Sequence, residues 1–211
     1  MKNYIYLIAL ILVLFFCVSA DANLLQNGDF ETGSQAPWQQ LGYHTGSTVD
    51  WAAYTGSYGY RITIVHDGRG DGWGGRYQNH MIQPGASYRF GGMINTDNIT
   101  PSLDKAAVSL QIAFFSSAEP TASDTPIVTY DSELITDSGW SYLEVVSEAA
   151  PVSAHSVRFT YALWASDHQY FPGMGTAYYD DFNAEVVPEP STIFMLITGL
   201  LSSFGFIKKK G

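Results

Sequence analysis

The run Val108-Ser109-Leu110-Gln111-Ile112-Ala113-Phe114-Phe115 changes character at nearly every step: Val108, Leu110, Ile112 and Phe114 are large and apolar, with Ser109, Gln111 and Ala113 between them. In an extended chain successive side chains leave on opposite faces, so this period of two describes a β-strand with one face in a core. Val157, Phe159, Tyr161 and Leu163 alternate in the same way with Arg158, Thr160, Ala162 and Trp164. Tyr88, Phe90 and Ile94 do so with Arg89, Met93 and Asn95. Further strands are expected at 58–65, 76–83, 127–130, 140–146 and 176–187. Gln83-Pro84-Gly85-Ala86 reads as a tight turn, because proline presets φ and glycine accepts a positive one. Outside the two ends, apolar residues nowhere keep a helical period over three turns. About eight short strands separated by Gly, Pro and Asp predict an all-β, antiparallel sandwich.

Composition narrows the function. The chain has 211 residues, 15% aromatic and only 14% charged, with a formal net charge of −10. A disordered chain would pair high charge with few aromatics. Residues 23–187 hold six basic residues against 18 acids, a balance of −12. No basic face exists to displace counterions from phosphates, so nucleic acid is excluded as a partner. The single cysteine, Cys17, rules out a disulfide framework and any multi-cysteine metal site.

The two ends read as addresses. Lys2 precedes the apolar stretch Ile5 to Val18, and small residues follow, the pattern of a secretory signal peptide over residues 1–22. At the other end, Pro188-Glu189-Pro190 leads into an apolar run that closes on Lys208-Lys209-Lys210. Thr192 to Ile207 is 16 residues, roughly 24 Å as a helix. That is short for a transmembrane helix, but the lysines can snorkel to the headgroups and mark the cytoplasmic side. The segment 188–211 resembles the PEP-CTERM sorting signal of Gram-negative bacteria. The resemblance implies tethering to the inner membrane, recognition of Pro188, Glu189 and Pro190 by an exosortase-type membrane protease, and delivery to the cell surface or extracellular matrix.

One domain is then expected over residues 23–187. Asn27-Gly28-Asp29-Phe30-Glu31-Thr32-Gly33 stands near its start, Ala53-Tyr54-Thr55-Gly56-Ser57-Tyr58 follows, and Ala177-Tyr178-Tyr179-Asp180-Asp181-Phe182 closes it. In this order the motifs resemble the jelly-roll carbohydrate-binding modules of the galactose-binding-like group. The resemblance implies a sandwich whose first and last strands are neighbours, and a structural calcium ion between them. The residues bear on that ion independently. Strand parity turns Asp180 inward with Phe182 and Val186, where a carboxylate needs compensation. A hard cation with oxygen ligands, including Glu31 and more weakly Asp181, is one solution. Hydrogen bonds from backbone or tyrosine donors are the other.

Ligand contact, if the module takes sugar, belongs to aromatics on the outward parity, since pyranose C–H faces stack on flat rings. Trp164 shares its parity with Arg158 and Thr160, and Phe115 breaks step with its core neighbours. Trp73 follows a glycine-rich stretch, and Trp38 and Trp51 lie in polar surroundings. Trp164, Arg158, Trp73, Phe115 and Trp38 are therefore the candidate ligand-binding residues, with packing under a loop as the alternative. Trp140 is expected in the core. A catalytic site is not expected: the Glu-x-Asp-x-x-Glu pattern that jelly-roll glucanases resemble is absent, and His80, Arg158 and Tyr179 could form a lyase-like set only by chance placement. The reading is an exported, non-catalytic module holding polysaccharide such as a biofilm matrix. A structural envelope protein making only protein contacts is the alternative, and a polysaccharide-degrading enzyme a more remote one.

Overall fold

In a computed structural model, residues 23–42, 45–65, 72–82, 84–99, 106–135, 139–165 and 174–187 are described. The expected signal peptide and sorting segment lie outside them. Ten strands make up the described fold: β1 (Gln39–Gly42), β2 (Thr45–Val49), β3 (Gly59–Val65), β4 (Gly72–Met81), β5 (Ser87–Ile99), β6 (Ala106–Phe115), β7 (Val128–Asp131), β8 (Trp140–Val146), β9 (Ser156–Ala165) and β10 (Met174–Val187). The only helical element among the described residues is a 3-10 turn, Asp50–Ala52. No described helix is long and apolar enough to cross a membrane.

The strands form two five-stranded antiparallel sheets. The front sheet runs β1-β4-β9-β6-β7 and the back sheet β2-β3-β10-β5-β8. Their inner faces meet over the residues whose period of two announced them. Val108, Leu110, Ile112 and Phe114 of β6 and Val157, Phe159, Tyr161 and Leu163 of β9 are buried from the front. Tyr60, Ile62 and Ile64 of β3, Phe90 and Ile94 of β5 and Tyr179 and Phe182 of β10 are buried from the back. Phe182 is the hinge of the packing: it stacks on Tyr161 at 4.8 Å and 11° and on Phe90 at 5.3 Å. A Cβ on Gly92 would enter the Phe182 ring, so the strand beside it must carry glycine there.

The N-terminal segment explains two departures from expectation. β4 turns Arg76 and Gln78 inward, both buried, and residues 24–38 cover that polar edge. Gln78 Nε2 donates to the Gln26 carbonyl at 2.8 Å, and Arg76 donates to Gln35 Oε1 at 2.9 Å and to the Tyr60 hydroxyl at 2.8 Å. Trp38 arrives with this plug. It is 3% exposed, packs on Tyr161 at 4.9 Å and donates its indole N–H to the Asn27 carbonyl. Trp38 is thus a core residue and not a ligand contact. The same segment lies beside the last strand: Leu24 N donates to Ala184 O, Asn23 Nδ2 to Phe182 O and Phe182 N to Gly28 O.

The bulge in β10 accounts for the rest. Pairing with β5 slips between Asp180 and Asn183, and Asp181 there has φ of +51°. Phe182 faces inward with Tyr179, but the bulge puts Asp180 on the opposite side from both, correcting the expectation. Asp180 pairs with Met93 on the outer parity and is buried there beneath the 53–58 loop, while Val186 is 44% exposed near the strand's end. Trp140 also departs from expectation. It pairs with Asn95 on the parity opposite to buried Leu143 and Val145, so it lies half-buried on the outer face of the back sheet. The short edge strands β1 and β2 were not anticipated, because Gln39–Gly42 and Thr45–Val49 have little apolar alternation.

Candidate functional site

Four of the five residues expected to contact ligand fall on the outer parity of the front sheet. One transverse row crosses all five strands: Gln39, Tyr77, Thr160, Gln111 and Asp131 are successive register partners. Tyr77 donates its hydroxyl to Gln39 Oε1 at 2.8 Å, and Gln111 Nε2 donates to Asp131 Oδ1 at 2.8 Å. Between them the Thr160 hydroxyl is buried with no protein partner. The next row is Leu41, Gly75, Ala162 and Ser109, a floor of mostly small residues. A Cβ at Gly75 would strike the Tyr161 carbonyl, so the strands approach too closely there for a side chain. Beyond that floor Trp73 and Trp164 stand opposite each other in register. Trp73 is half-buried. The glycine-rich residues 66–71 that precede it lie outside the described residues.

At the other end, Arg158 and Phe115 have a different occupation from the one expected. Arg158 is 4% exposed and Phe115 2%. Parity does put both on the outer face, but residues 116–126 fold back over them. The Arg158 guanidinium lies 4.2 Å from the Tyr77 ring centroid and 4.4 Å from that of Phe115. It donates to Asn79 Oδ1 at 2.9 Å, to Pro120 O at 3.1 Å and to Thr121 O at 2.7 Å. Asn79 Nδ2 adds a bond to Pro120 O at 2.8 Å. Burial pulls the Arg158 pKa below its ordinary value. The residue is an anchor for the loop, and the ring of Phe115 is one wall of its seat. The floor residues between this anchor and Trp73 are closely packed, with Ala162 4% exposed and Ser109 6%.

The carboxylates read as metal candidates lie elsewhere, where the N-terminal segment and the 53–58 loop meet β10. Asp180 is fully buried. Its Oδ2 accepts from Tyr54 N at 2.7 Å and Thr55 N at 3.0 Å, and its Oδ1 from Asp181 N at 2.8 Å. Burial raises its pKa to about 6, against the opposing pull of those N–H groups. Glu31 Oε1 accepts from Ser57 N and Tyr58 N, both at 2.8 Å, and its carboxylate lies where a Cβ on Gly56 would be. The Asp181 carboxylate takes the Thr55 hydroxyl at 3.0 Å. It also borders a cleft of about 350 Å³ with Asn23, Asn27, Asp29 and Asn183. Among the described residues no three metal-ligating side chains cluster. Backbone N–H groups thus stand against both Asp180 oxygens and against Glu31 Oε1. As placed, these residues clasp the 53–58 loop to both ends of the domain.

The lyase-like set also separates. Tyr179 is fully buried on the inner face of the back sheet, and Arg158 is on the outer face of the front sheet.

No family model matches the chain, and no curated protein does. Solved structures do. A carbohydrate-binding module, TmCBM61, in complex with β-1,4-galactotriose is 18% identical with a TM-score of 0.52, over 78% of this chain and 99% of that one. The CBM22-2 xylan-binding domain from Paenibacillus barcinonensis Xyn10C is 12% identical with a TM-score of 0.55, over 76% and 98%. The enzymatically active domain of bacteriophage CBA120 tailspike protein 4 is 13% identical with a TM-score of 0.55, over 78% of this chain and 21% of that one. At these identities the likeness defines the fold. It is the jelly-roll sandwich of carbohydrate-binding modules.

Proposed function

We propose that the chain is an exported, non-catalytic module that binds polysaccharide on the outer face of its front sheet. The observation that carries this is the Trp73–Trp164 register pair beside a floor of Gly75, Ala162 and Ser109. The half-buried indole of Trp73 beside a row of small residues suits a sugar ring, whose C–H face stacks on a flat aromatic surface. The galactan- and xylan-binding modules of the same fold support the ligand class. Non-catalysis fits the one acid in the central row, Asp131, being engaged by Gln111; a glycosidase needs two carboxylates flanking the bond.

In this reading residues 1–22 direct export, residues 23–187 are the binding domain, and Pro188, Glu189 and Pro190 present the tail to an exosortase-type protease. The mature domain then works at the cell surface or in an exopolysaccharide matrix. Affinity electrophoresis of residues 23–187 through gels containing xylan or β-1,4-galactan tests the binding. Retardation that Trp73→Ala reduces is the expected result. Unretarded migration in every gel, with the fold intact, would assign the domain to protein contacts alone. Mass spectrometry of the envelope-associated protein tests the processing: its mature termini should fall near residue 22 and near Pro188.

A further inference from the structure

The outer face of the back sheet carries aromatic residues that the front-face reading does not use. A continuous register row crosses four of its strands: Arg61 on β3, Tyr178 on β10, Asn95 on β5 and Trp140 on β8. Trp51, in the 3-10 turn, packs its ring against Tyr178 at 4.8 Å in a T-shaped contact, with the Arg61 guanidinium 5.4 Å from its centroid. Tyr54, two residues past that turn, tilts against Trp140 at 5.5 Å. Two aromatic pairs therefore flank the β5 strand. Tyr178 is itself buried, 5% exposed, so Trp51 packed on it is the outer ring of the first pair, and Trp140, half-buried two strands away from Tyr178, belongs to the second.

The outer rings of both pairs are not packed away. Trp51 is 62% exposed, Tyr54 48% and the neighbouring Tyr142 56%. Large exposed aromatics in one band mark a recognition surface. We infer that this band is a second binding surface, for a neutral polysaccharide strand, on the opposite side of the sandwich from the first; the inference rests on the polysaccharide reading above for the class of ligand. Three observations favour this occupant. The rings are Trp and Tyr, which pair an apolar face with a hydrogen-bonding group. The domain's charge of −12 over residues 23–187 opposes pairing with a second copy, while a neutral sugar chain meets no such repulsion. The loop that carries Tyr54 is also held in advance, by Asp180 through Tyr54 N and Thr55 N and by Glu31 through Ser57 N and Tyr58 N. A pre-ordered loop loses little entropy on binding. The Asp180 and Glu31 carboxylates thus position an aromatic arm of the surface. Two opposed faces would let one domain bridge two polysaccharide strands.

The test uses residues 23–187, which contain both sheets and the whole described core. Wild type, Trp73→Ala, the double variant Trp51→Ala/Tyr54→Ala and the triple variant are run through gels containing xylan or β-1,4-galactan. Circular dichroism confirms that each is folded, which the exposure of Trp51 and Tyr54 favours. Wild type should be retarded, each face's variant should retain part of the retardation, and the triple variant should lose it. The double variant is expected to bind roughly tenfold more weakly at the back face. Retardation abolished by Trp73→Ala and untouched by Trp51→Ala/Tyr54→Ala would overturn this inference and leave the front face standing. The reverse pattern would sink the front-face reading and keep this one. If wild type migrates freely in all gels, both fall. A dimer in sedimentation velocity that the double variant dissociates, without retardation, would assign the band to a second copy and overturn the inference as well.

Discussion

Replacing Arg158 by Met removes a buried cation while keeping much of its apolar length, and the structure sets the expected cost. Three hydrogen bonds disappear, to Asn79 Oδ1, Pro120 O and Thr121 O. Bonds from a charged donor contribute about 1.5–3 kcal/mol each, and a desolvated cation over an aromatic ring about 2 kcal/mol. Against these stands the cost of burying the guanidinium, of several kcal/mol. Only neutral acceptors are left behind, and Pro120 O keeps its bond from Asn79, so no orphaned charge adds to the loss. A net destabilisation of about 3 kcal/mol follows from these opposing contributions. For a domain of this size that lowers the melting temperature by roughly 6–12 °C. Arg158→Lys keeps the charge but loses the planar fork, so it should rescue only part of the loss. Differential scanning calorimetry of residues 23–187 reads both. A melting temperature for Arg158→Met within about 2 °C of wild type would refute the claim that this side chain pins the 116–126 loop.

Three other outcomes are expected. Gly92→Ala drives a methyl group into the Phe182 ring; overpacking of that kind costs about 1–3 kcal/mol, and Gly92→Ala/Phe182→Leu should recover part of it in urea unfolding. Asp180 has its folded pKa raised from 3.8 to about 6. Its contribution to stability is therefore fully present below the unfolded value and is lost as pH rises through about 6. The stability of wild type minus that of Asp180→Asn should fall between pH 5 and pH 7.5, and a rise over that interval would show the sign to be wrong. Because Asp180 and Glu31 accept backbone N–H groups, adding a calcium chelator should leave the melting temperature unchanged. A drop reversed by calcium would restore the metal reading of Glu31, Asp180 and Asp181.

Alternation by itself determined the architecture and most of the core. β6, β9 and the first half of β5 bury the residues their period of two nominates, because a strand has only two faces and one must be dry. Parity also placed Arg158 and Phe115 on one outer face, but it read Asp180 as inward with Phe182, because alternation does not disclose the bulge at Asp181 that puts those two on opposite sides. What parity cannot say is whether an outer face stays open. Residues 116–126 close over Arg158 and Phe115, and the N-terminal plug takes Trp38 into the core; both depend on contacts between segments far apart in the chain. The compensation of Asp180 was equally undecided, since a cation and a set of N–H groups answer the same electrostatic need, and only the approach of the 53–58 loop selected the donors. The aromatic band on the back sheet belongs to that second category. Trp51, Tyr54, Trp140 and Tyr178 are scattered through the sequence, and it is the β3-β10-β5-β8 order that gathers them on one surface.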